Sequence, residues 1–157
     1  DGLGVAGALG GAFAYALYIL MAEHSVRSGR DVFSLLAWGF LFAALFWAVV
    51  QPWWSFPGRI LTGDASLLGR LDEHSLPVWL LLAYIVLLGT IVPFILMITA
   101  LRHIPATRAT IVAMVEPVLA GLVAWAWLGE ELSPEQIAGG VLVLGAIVLA
   151  QTARGPD

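Results

Sequence analysis

Charge is what this sequence has least of. Only 11% of its 157 residues are charged, while 61% are apolar; ordinary soluble domains carry roughly 25% and about 45–50%. One soluble core in a chain of this length would leave most of those apolar side chains in water, so the composition argues for a protein solvated by lipid. Lysine is absent, and the seven scattered arginines in a chain of net charge −4 form no basic patch, which excludes nucleic acid as a partner. Cysteine is absent too. Disulfide frameworks, thiolate metal sites and cysteine nucleophiles are therefore ruled out. There is no HExxH, GxSxG or Walker-type glycine loop and no pair of aspartates in an apolar stretch, so an enzyme has no visible site and no cofactor is expected. The chain starts at Asp1 without an initiator methionine, and its first apolar run lacks the positive flank of a signal peptide. Both features point to a segment of a longer protein.

What is abundant is apolar length. A helix needs about 20 apolar residues, rising 1.5 Å each, to cross a hydrocarbon core of about 30 Å. Five runs approach that length. The first, Gly2 to Ala22, and the second, Val32 to Trp54, carry no charge. The third, Val78 to Leu101, is interrupted only by Pro93, where a kink is expected. The fourth, Ala106 to Leu128, holds Arg108 near one end and Glu116-Pro117 in its middle. The fifth is purely apolar only from Ile137 to Ala150, but Ser133 as N-cap, Pro134 at N1 and Gln136 at N3 extend it to spanning length. Because lipid offers no partner for an open backbone amide, the runs are read as helices. The predicted fold is an all-α transmembrane five-helix bundle over residues 1–153, followed by a cytoplasmic tail at 154–157.

The arginines orient it, since cytoplasmic loops near helix ends carry the excess of positive charge. Arg27, Arg30, Arg102, Arg108 and Arg154 share one side, whereas Arg59 and Arg70 occupy the other beside Asp64, Asp72, Glu73, Glu130 and Glu131. The amino end is thus expected outside and the carboxyl end inside. Trp53, Trp54, Trp79, Trp125 and Trp127 fall near the outer helix ends, as headgroup-level aromatics do. His24, His74 and His103 lie in or beside loops on both sides and cannot form one metal cluster. In the long 55–77 loop, Leu67, Leu68 and Leu71 alternate with Arg70 and Asp72, which suits a short surface helix and a solvated loop equally.

Glu116 is the sharpest single residue. It sits about ten residues into its run, roughly 15 Å from the cytoplasmic end at 1.5 Å per residue, and so near mid-membrane. A charge there costs about 2.5–3.5 kcal/mol on insertion scales, so it is expected to face the bundle interior or a wet cavity, or to be protonated. Ala109, Ala113, Ala120 and Ala124 fall on its face at helical spacing, a stripe that lets another helix pack closely. Pro117 removes the amide that would bond the carbonyl of Ala113. The site is then either a substrate or proton site or a structural carboxyl bonded to a neighbouring carbonyl. Tyr15 and Tyr18, three apart behind Gly7 and Gly11, can line a cavity or simply fill space, and Trp38, Phe46 and Trp47 on the second run are open to the same two readings. Thr90 and Thr99 can bond their own helix and carry little functional weight.

The order Ile104-Pro105-Ala106-Thr107, Glu116-Pro117-Val118, Ala124-Trp125 and Leu128-Gly129-Glu130, then Gln136 and Gly139-Gly140, resembles the EamA-type repeat of the drug/metabolite transporter superfamily. The opening Gly11-Ala12-Phe13-Ala14-Tyr15-Ala16-Leu17-Tyr18 is also similar to that repeat. The Glu-Pro-Val form resembles its carboxyl-terminal copy. The resemblance implies one repeat of a ten-helix inverted-repeat transporter, moving metabolites or drugs by alternating access. An odd number of spans makes a duplicated unit inverted, as in many secondary transporters. Expected partners are a small-molecule substrate, membrane lipid, and an upstream five-helix repeat or a second copy as homodimer; the expected location is the bacterial inner (plasma) membrane. The alternative is a non-transporting membrane assembly subunit whose glycine and alanine stripes serve helix association.

Overall fold

The computed structural model describes residues 2–153; Asp1, Arg154 and the expected tail lie outside the described residues. Five helical stretches are long and apolar enough to cross a membrane: Gly2–Arg27, Val32–Val50, Val78–Ala100, Ala106–Leu128 and Pro134–Thr152. The fold is the all-α transmembrane arrangement that the composition predicts.

The first helix, α1 (Gly2–Arg27), runs past the expected end at Ala22. Glu23 and Arg27 stand one turn apart and pair at 3.0 Å, an acid-before-base order that suits a helix carboxyl end. His24 is consequently helical. The helix stops at Gly29, whose φ of +90° lets its amide reach the Val26 carbonyl while Arg30 reaches Ser25. Asp31 then caps α2 (Val32–Val50), its carboxylate accepting the Ser34 amide at 2.8 Å. That bond, aided by the charge of Arg102, holds the Asp31 carboxyl below the usual carboxylate range. The second helix ends short of Trp54 because Pro52 forces Gln51 into extended backbone, and the indole of Trp53 donates to the Ala48 carbonyl at 3.0 Å.

The third span consists of α3 (Val78–Val86), a π-helical turn (Leu87–Ile91) and α4 (Val92–Ala100). The fourth consists of α5 (Ala106–Ala113), α6 (Glu116–Val123) and a second π turn (Ala124–Leu128). The fifth, α7 (Pro134–Thr152), opens on a complete capping box, with Ser133 and Gln136 bonding each other's backbone amides.

Two compact units divide the chain: one takes in the chain to Ser55 together with Thr90–Ala109, the other Phe56–Gly89 and the chain from Thr110 on. In the first unit the core sits where the helices meet their arginine-bearing turns. Ile19, Ala22 and Val26 close α1, Val32 and Leu36 open α2, Ile98 and Leu101 end α4, and Ala106 and Ala109 begin α5. Ile98 and Leu101 are fully enclosed. Arg102 ties the two turns at this end by donating to the Arg30 carbonyl at 3.1 Å.

In the second unit no described residue is buried. Its long connection is neither a surface α-helix nor a plain loop. Two three-residue strands, β1 (Asp64–Ser66) and β2 (Ser75–Pro77), pair antiparallel with Ala65 opposite Leu76; one 3-10 turn, Gly58–Thr62, precedes them and another, Gly69–Leu71, joins them. At the corner, Leu68 holds φ 59° and ψ 173°, a region essentially reserved for glycine that costs on the order of 1–3 kcal/mol.

Candidate functional site

Pro93 and Pro117, the prolines inside spans rather than at a helix start, act on the carbonyl four residues earlier, where a helical amide is missing. Upstream of Pro93 that carbonyl belongs to Gly89, and the helix widens into the π turn Leu87–Ile91. Upstream of Pro117 it belongs to Ala113, and the helix breaks outright: Met114 donates to both Thr110 and Ile111, and Val115 tightens onto Val112. Glu116 therefore stands in the first turn of a new helix, α6.

Ala113, Glu116, Ala120 and Ala124 line one open groove of about 810 Å³ with Leu67, Leu119 and Trp127. Among the described residues that line it, Glu116 alone is ionisable. Glu116 is exposed, and its carboxyl can accept hydrogen bonds. A second groove of about 440 Å³, bounded by Pro117, Val118, Gly121 and Gly140, runs between α6 and α7.

The aromatic candidates lie in the other unit. Tyr15 and Tyr18 face each other at 6.5 Å between ring centroids, and Tyr18 meets the edge of Phe94 at 6.2 Å. Phe94 in turn meets Phe40 edge-on at 5.7 Å. Tyr18, Phe40 and Phe94 rest on the buried core, while Tyr15 is half exposed at 51%. Contacts of this kind contribute about 0.5–1.5 kcal/mol each beyond area burial. Trp38 stacks instead on Phe42 at 6.0 Å and is 60% exposed. Sequence reasoning missed Phe40 and Phe94. For Phe94 a signal existed, because it follows Pro93; for Phe40 there was none.

Tyr15, Tyr18, Trp38 and Pro93 thus belong to the first unit, Glu116 and Pro117 to the second. Residues 2–152 match the EamA-like transporter family. The chain belongs to that family. An uncharacterized transporter of Archaeoglobus fulgidus is 27% identical over 146 residues, 85% of this EamA-like chain and 52% of the relative. The uncharacterized transporter YdfC of Bacillus subtilis is 30% identical over 73 residues, 46% of this chain and 24% of the relative. The EamA-like chain spans at most about half the length of these curated relatives. No solved structure matches it. With its five spans, it is an integral membrane protein of a transporter family.

Proposed function

We propose that the chain is one half of a secondary transporter that moves small organic metabolites or drugs by alternating access. The observation that carries this reading is Glu116: one ionisable group in an otherwise apolar groove, at a helix break within a spanning segment. Intramembrane carboxylates are costly and are characteristically kept where a substrate or ion must be bound or a proton moved. Tyr15, Tyr18 and Trp38 would offer hydroxyls and ring faces to the solute, with Pro93 and Pro117 as the points where their spans bend. The missing wall of the path would come from an upstream five-helix repeat, or from a second copy. The arginine bias supports an amino end outside and a carboxyl end inside a bacterial plasma membrane.

Glu116→Gln in the full-length protein tests the reading. Solute uptake is expected to fall about tenfold, equivalent to roughly 1.4 kcal/mol of barrier, and its pH dependence to flatten. Uptake that stays equally fast and equally pH-dependent would leave Glu116 a structural role only.

A further inference from the structure

The connection between the second and third spans does more than join them. Trp127, in the π turn of the fourth span, donates its indole N–H to the carbonyls of both Leu67 and Leu68, at 3.1 and 3.2 Å. Gly69 is pressed against the same turn: a Cβ there would stand 2.3 Å from the Trp127 carbonyl oxygen and 2.7 Å from the Leu128 Cα. Only glycine fits, and its φ of +56° is also one that glycine tolerates best. Leu67 and Trp127 both line the groove that holds Glu116. The corner and the groove wall are therefore one structure.

We propose that this corner, Leu67–Gly69, is a latch that closes the Trp127 end of the Glu116 groove and opens it by releasing the indole. Three properties make such a device workable. The corner is pinned on both flanks, because Leu67 donates to the His74 carbonyl at 3.0 Å and Asp72 to that of Gly69 at 3.3 Å, so the backbone at Leu68 is the part that turns. It has no buried side chain to hold it down, so the shared indole bonds and the glycine contact carry the closed state. Segments with so little burial open locally at small cost. Leu68, meanwhile, sits in backbone space that suits glycine and is relaxed only when the corner lifts. Closed and open states are thereby kept close in free energy, as a gate requires. The role of the latch in solute access rests on the transport reading; its opening does not.

The absence of cysteine from this chain allows a direct measurement. Ala124→Cys places a reporter at the half-buried Trp127 end of the groove in the full-length protein, held in nanodiscs with both faces accessible and with any other cysteine replaced. Labelling by a charged maleimide then reads how often the groove is open. Trp127→Phe keeps an aromatic ring but removes both indole bonds, and labelling is expected to quicken about tenfold. Leu68→Gly removes the strain, which outweighs the freedom glycine gains in the open state, and labelling is expected to slow about threefold. Equal rates in the parent and both variants overturn the latch. Should Trp127→Phe fail to fold, Leu68→Gly decides alone, since a rate that is unchanged or faster contradicts a strained closed state. Normal latch responses with silent Glu116→Gln uptake would instead sink the transport role and leave the latch standing.

Discussion

The unit built from α1, α2, α4 and the start of α5 encloses nine apolar side chains at one end of its helices, and Arg102 bonds two of its turns together. The unit containing α3, α6 and α7 encloses none among the described residues and relies on a capping box, a small hairpin and the indole of Trp127. The first carries its own core; the second presents apolar faces that only lipid or further protein can cover. In a membrane the distinction is sharper than in water, because lipid tails are as apolar as leucine and packing rather than solvent exclusion drives helices together.

Ile98→Ala should break that contrast if it is wrong. Truncating a fully enclosed side chain is expected to destabilise by about 2–5 kcal/mol, measured by unfolding in detergent, because the surrounding helices collapse only partly. Leu142→Ala, on α7 where the leucine is 74% exposed, should cost well under that, roughly within ±0.5 kcal/mol. Equal losses at the two positions would show that the second unit is packed after all. Next in size is Ser133→Ala, which removes one half of the α7 capping box and should cost about 1 kcal/mol at neutral pH. Smallest is the pH response of the first unit. Asp31 has a carboxyl held below its ordinary range in the folded chain, so its stabilisation is full above the unfolded value and disappears as pH falls through the folded one. Asp31→Asn keeps a capping side chain and should flatten the acid limb of the thermal unfolding midpoint against pH.

Much of the fold was written locally. Ser133, Pro134 and Gln136 announced the start of α7, whereas the second run reads as apolar to Trp54 although Pro52 stops α2 early and Asp31 caps it. The π turn before Pro93 was not readable, because a proline leaves open whether the helix widens, as at Leu87–Ile91, or breaks, as at Met114–Val115. β1 and β2 escaped because three residues show no period. Within the candidate site, Ala113, Glu116, Ala120 and Ala124 could be placed on one face by spacing alone, whereas Ala109, read onto the same face, packs into the core of the first unit. The meeting of Tyr18, Phe94 and Phe40 could not, since it depends on three helices coming together.

The bond from Arg102 to the Arg30 carbonyl has a consequence for the order of assembly, because its partners are 72 positions apart in the chain. α1 and α2 are joined by a tight turn and can pair as soon as both have been made. The clasp across their turn must wait until the third span has been synthesised and inserted. Closure of distant contacts is the slow part of folding, so a ribosome-bound chain halted before Arg102 holds a helical hairpin whose end is still unfastened.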